Sequence, residues 1–113
     1  MRLALLLTAA IILSGCGSEC SEQVVSRIPS PDRTYDAIYS IHDCGATTRQ
    51  AAWIRIVRHD AAPDSTKPIA TFEGALSSLP EWRGKTLHIH YGRARPGARA
   101  VAYHGMTIEY TAD

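Results

Sequence analysis

Within Lys85-Thr86-Leu87-His88-Ile89-His90-Tyr91, His88 and His90 are the residues of this 113-residue chain best spaced to do chemistry. On a strand, side chains at i and i+2 leave the same face, so both imidazoles could ligate one metal ion. The same spacing fits two exposed histidines on the solvated side of a half-buried strand, with Leu87, Ile89 and Tyr91 turned inward. Spacing fixes no third ligand: His104 could come from a neighbouring strand, and His42 or His59 from a loop. Metal binding through His88 and His90 is therefore kept as the alternative function, and no cofactor is expected.

A second chemical candidate is Asp43-Cys44-Gly45-Ala46-Thr47-Thr48, which sets a thiol close to His42. Chain neighbours rarely point at one another, and a disulfide would consume the thiol, so a nucleophilic cysteine is not expected there. Thr47 and Thr48 are read as bonding the loop's own backbone. Arg93, Arg95 and Arg99 form a small positive cluster, read as a solvated loop, or as a contact for lipid headgroups or an acidic partner. No glycine-rich phosphate cradle, carboxylate pair or metal-spaced cysteine set is present. The chain is read as noncatalytic.

The remaining chemistry lies at the N-terminus. Met1 and Arg2 make a minimal positive region, and residues 3–13 are apolar apart from Thr8. Eleven helical residues rise about 16 Å, roughly half a hydrocarbon core, which is short for a membrane span and right for a signal sequence. Leu13, Ser14, Gly15 and Cys16 follow in the order of a bacterial lipobox. A transferase needs the Cys16 thiol to attach diacylglycerol, and the small residues before it admit the chain to the peptidase. The expectation is a signal peptide over residues 1–15 and lipid on Cys16. Several acyl chains, at roughly 0.8 kcal/mol per buried methylene, anchor a protein durably where one does not. Gly17 replaces the aspartate that commonly retains lipoproteins in the inner membrane. The outer membrane, facing the periplasm, is therefore favoured for a Gram-negative host.

Cysteine arithmetic agrees. The chain has three cysteines, and an odd count in an exported protein requires an explanation. Lipidation uses Cys16 and leaves Cys20 and Cys44 to form a disulfide in an oxidising compartment; two free thiols or a metal pair are the rivals.

Composition limits the rest. A length of 113 residues suits one domain, and 45% apolar with 20% charged residues suits a globular one. The formal charge of +1 includes Arg2, so the chain after cleavage is close to neutral. No face is obviously basic enough to hold a phosphate backbone, so nucleic acid is not an expected partner. The membrane, through the lipid, is the expected partner, with an envelope protein as a second.

Residues 16–28 read as a polar, lipidated tether and residues 29–113 as a small β domain. A turn at residues 29–33 enters a strand at 34–41, with Tyr35, Ala37, Tyr39 and Ile41 on one face. A second strand at 51–58 places Ala52, Ile54 and Ile56 together, opposite Trp53, Arg55 and Val57. A short strand at 68–73 is expected at an edge because of Pro68. Residues 74–84 read as irregular, with Trp82 over one end of the sheet, and residues 92–97 as a loop. Residues 98–104 and 106–111 form a hairpin at Gly105, with Met106, Ile108 and Tyr110 inward. Helical periodicity is absent after the signal. The fold class is mainly β: a small antiparallel sheet of five to six strands, as a half-wrapped sandwich or open barrel.

Ser30-Pro31-Asp32-Arg33-Thr34-Tyr35-Asp36-Ala37 and the Asp43–Thr48 loop, with the later Leu-x-Ile-x-Tyr and Ile-x-Tyr strands, resemble a group of small uncharacterised bacterial lipoproteins. In that group an SPDG-type turn enters a strand and a DCGATT loop follows; here Arg33 stands where the group usually has Gly. The resemblance implies a fold and an address, and no activity.

Overall fold

The computed structural model describes residues 20–45 and 49–113, and every regular element in them is a strand. Residues 1–15, read as a signal peptide, Cys16 and the Ala46-Thr47-Thr48 tip of the cysteine loop lie outside the described residues. In chain order the strands are β1 (Ser21–Pro29), β2 (Tyr35–Asp43), β3 (Ala51–Arg58), β4 (Ala70–Glu73), β5 (Glu81–Arg83), β6 (Thr86–Gly92), β7 (Arg95–Arg99), β8 (Ala102–Tyr103) and β9 (Met106–Ala112). They form two sheets, ordered β1-β2-β3-β4-β7 and β5-β6-β9-β8. The first sheet is antiparallel throughout. In the second, the central β6–β9 pair is parallel. A parallel pair needs a crossover connection. The crossover here is β7, which pairs with β4 in the other sheet before the chain returns.

The two sheets do not close into a barrel. On one side, residues 95–103 pass from β7 in the first sheet to β8 in the second, and Val101 accepts a bond from Ile108 N at 3.0 Å. On the other side, the Trp82 indole on β5 donates to the Ile28 carbonyl on β1 at 2.9 Å. That bond links the β1 and β5 edges of the two sheets.

Alternating side chains supply the core. Ala37 and Tyr39 of β2, Ala52, Ile54 and Ile56 of β3, and Phe72 of β4 meet Leu87 and Ile89 of β6 and Met106 and Ile108 of β9. Phe72 stacks on Tyr91 at a centroid distance of 5.3 Å and lies 6.2 Å from Tyr110. Burial pushes the Tyr110 phenol up to about 12, against the opposing Arg99 charge.

The SPD turn is held as its residues predict. Ser30 Oγ donates to Asp32 Oδ1 at 2.7 Å, Thr34 N donates to the same oxygen at 3.0 Å, and Tyr35 N donates to Ser30 Oγ at 3.2 Å. Arg33 has φ 56°, in the left-handed region. That conformation favours glycine at this position of the turn.

Several elements depart from the sequence reading. Residues 21–28, read as tether, belong to β1, which pairs with β2. A bulge between Val24 and Ser26 breaks the period-2 pattern, and few side chains there are buried. The strand at 70–73 is interior, between β3 and β7, because Pro68 precedes the ladder and costs it no N–H. Prolines do lie on the edge strands, Pro96 in β7 and Pro29 at the end of β1. Residues 95–97, read as part of a basic loop, belong to β7 and pair with β4. A Cβ on Gly97 would stand 2.6 Å from Thr71 Oγ1, so that approach requires glycine. Residues 81–83 form β5 within the stretch read as irregular. The hairpin at Gly105 is present, but its first arm is only the two residues of β8.

Candidate functional site

The outer face of the first sheet is the largest feature that sequence reasoning missed. Trp53, Arg55 and Val57 point away from the core, yet Arg55 and Val57 are buried, as are Asp36, Ile38 and Ser40 of β2. The segment after β3 folds across them. Thr66 Oγ1 donates to the Ile56 carbonyl at 2.9 Å, and Pro63 and Asp64 border a cleft with Glu22 and Val24.

Charged groups under this cover are paired. Asp36, with a side chain only 2% exposed, accepts from Arg27 Nε at 2.6 Å, from His59 Nδ1 at 2.8 Å and from Asp60 N at 3.3 Å. Burial alone would raise the Asp36 pKa. The His59 and Arg27 bonds outweigh it and hold the carboxyl below its usual value. Beside it, Glu22 of β1 accepts from Arg55 of β3 and from Ser40 of β2 at 2.9 Å. Burial raises the Glu22 pKa, and the Arg55 and Ser40 bonds bring it down below the ordinary value. The Arg55 guanidinium also lies over the Trp53 ring at 5.2 Å, and Trp53 stacks with His42 at 4.2 Å. Opposite charges at outward positions on strands flanking β2, Glu22 on β1 and Arg55 on β3, were the available signal. Reading it required Glu22 on a strand, which the tether assignment precluded.

Cys20 and Cys44 Sγ atoms are 2.05 Å apart, as a disulfide, beside the Ser21–Asp43 pairing. The bond clamps the free end of β1 to the end of β2. His42 lies close enough that one ligand atom from each of Cys20, His42 and Cys44 falls within 4.8 Å. The disulfide occupies both sulfurs, so this corner is a staple. Closing a loop with a sequence separation of 24 residues is worth roughly 3 kcal/mol in the chain-entropy model. We expect Cys20→Ser with Cys44→Ser to lose about that much in urea unfolding, with β1 amides exchanging first in hydrogen-exchange measurements. Unchanged protection in β1 would contradict the clamp.

The histidines do not gather at one point. His42 is on β2. His59 follows β3 and binds Asp36. His104 occupies the β8–β9 turn at φ 46°, against Tyr103 and Tyr35. Near that turn, Ser30, Tyr35, Trp82, Lys85, His104 and Met106 help to line a cleft of about 150 Å³. Only His88 and His90 remain together, outward on β6 as their alternation predicts. Arg95 and Arg99 are on β7 and Arg93 just before it, with Arg99 over the Tyr110 ring at 5.8 Å.

Comparison with protein-family models, with curated proteins and with solved structures finds no match to this chain.

Proposed function

We propose that the protein is a lipid-anchored lipoprotein of the bacterial cell envelope whose β domain is a noncatalytic binding or structural module. The observation that carries the reading is the distribution of the three cysteines. Cys20 and Cys44 are bonded to each other, which leaves Cys16, at the end of the apolar run and lipobox, as the thiol available to a lipid. The disulfide also suits an oxidising compartment. The resemblance of the SPD turn and the cysteine loop to small bacterial lipoproteins supports the same address. Placed four residues after Cys16, the Cys20 staple would hold the β1 edge close to the bilayer, with an envelope protein as the further partner. Gly17 favours the outer membrane of a Gram-negative host. In cells fed labelled palmitate, the wild-type chain is expected to carry label and to begin at Cys16, and Cys16→Ala to carry none and remain unprocessed. An unlabelled wild-type product, or one still beginning at Met1, overturns the proposal.

A further inference from the structure

The outward face of the second sheet sets an imidazole pair among carboxylates. His88 is paired with Glu81 of β5 on one side and with Glu109 of β9 on the other. Directly paired residues share a face, so two carboxylates flank one ring. His90 lies two residues further along the same face and is paired with Thr111.

One nitrogen of each ring is engaged by the end of the chain. His88 Nε2 lies 3.0 Å from Thr111 Oγ1, and His90 Nε2 lies 2.8 Å from Asp113 Oδ1. Asp113 is held by its own N–H on the Gly92 carbonyl at 3.3 Å. A Cβ on Gly92 would stand 2.7 Å from Ser77 Cβ and 3.2 Å from Asp113 Oδ2, so the glycine leaves room first for Ser77 and then for that carboxylate. When one imidazole nitrogen donates to a hydroxyl or carboxylate, the other presents a lone pair. Metal-binding histidines are held in this way.

The second nitrogen of His88 supplies the independent observation. Its Nδ1 is closed off from solvent and has no hydrogen-bond partner, yet it lies 3.8 Å from Glu109 Oε2. That separation is too long for an N–H···O bond. Two ligands each about 2.1 Å from a tetrahedral zinc ion stand roughly 3.4 Å apart, so a small rotation of Glu109 would admit an ion between them. The Glu109 side chain is 61% exposed and free to make it. Metal-free, the three donors are not gathered: only the Cys20, His42 and Cys44 group is that compact among the described residues.

We propose that His88, His90 and Glu109 form a binding site for a divalent transition-metal ion of the zinc class, with Thr111 and Asp113 as the residues that orient the two rings. Imidazoles with a carboxylate select zinc or copper over calcium or magnesium, which prefer all-oxygen sets. The site rests on the shared outward face of His88 and His90 and on the unpartnered His88 Nδ1 facing Glu109, and it does not depend on lipidation.

The test is a competition titration of Zn²⁺ against a chromogenic chelator, with the full detergent-extracted chain and its disulfide intact. One zinc per chain is expected. His88→Gln with His90→Gln, chosen to keep the strand polar, should weaken binding at least about 100-fold. Asp113→Asn should weaken it about 10-fold or more, as loss of an orienting partner does. Zinc should raise the melting temperature of the wild type and leave that of the double variant unchanged, with the same strand content in the metal-free circular dichroism of the two. A wild type that binds no zinc, a double variant that binds as tightly, or displacement of zinc by equimolar Mg²⁺ overturns the site. Unchanged affinity in Asp113→Asn overturns the orienting role.

Discussion

Replacing Phe72 with alanine is expected to destabilise the domain by about 3–5 kcal/mol, the range for removing a buried aromatic ring. Phe72 is 1% exposed and reaches from β4 in the first sheet to Tyr91 and Tyr110 in the second. The truncation removes ring contacts on both sides and leaves a void that two open-edged sheets cannot collapse without sliding. Phe72→Leu keeps most of the volume and should cost less than about 1.5 kcal/mol. Chemical denaturation of the three proteins measures both. Equal midpoints for Phe72→Ala and wild type would mean that the sheets are held together elsewhere.

Asp36→Ala should cost about 1–3 kcal/mol, the range for losing charged hydrogen bonds at a buried acceptor whose partners, Arg27 and His59, stay about one-third exposed. The substitution strands the Arg27 guanidinium, whose Nη2 is already enclosed without a partner, and takes an acceptor from His59 and from the Asp60 N–H. The pH dependence has a definite sign. The folded-state pKa of Asp36 lies below the ordinary 3.8, so the folded state favours the ionised carboxylate. Its contribution is fully present above about pH 3.8 and is lost as pH falls through the lower folded value. Glu22 acts in the same direction from its ordinary 4.5. Thermal melts from pH 6 down to pH 2 should therefore show an acid-labile limb below about pH 4, made shallower by Asp36→Asn. A wild type and an Asp36→Asn variant that lose stability in parallel would remove Asp36 from the account of acid sensitivity.

The inward faces of β2, β3, β6 and β9 were legible from alternation, because each buries one face on the core and the period of two survives in the sequence. The elements that were missed share a different cause. β1 carries a bulge and lies at an edge, where few side chains need be apolar. β7 contains Pro96 and Gly97, which read as turn residues. They are tolerated because the proline sits on an edge strand and the glycine lies against Thr71. β5 has three residues, too few to establish a period.

Of the candidate sites, the outward histidine pair was visible as His-x-His on an alternating strand. Its surroundings were not. Glu109, Thr111 and Asp113 reach those rings only because β9 runs parallel to β6, and that register depends on β7 crossing to the other sheet. The Asp36 cluster was hidden for a similar reason: its members come from β1, β2 and the segment after β3, and no local spacing joins them.

Residue order alone settled which side chains of the regular strands turn inward, because alternation is a local property of extended backbone. It offered Cys20 and Cys44 as a pair, with free thiols or a metal pair as rivals, and the structure joins them as a disulfide. Tertiary structure alone decided the two-sheet division, the parallel centre of the second sheet and the burial of charge on the outer face of the first. Those features depend on contacts between distant segments, which pairing and packing choose among many locally equivalent alternatives.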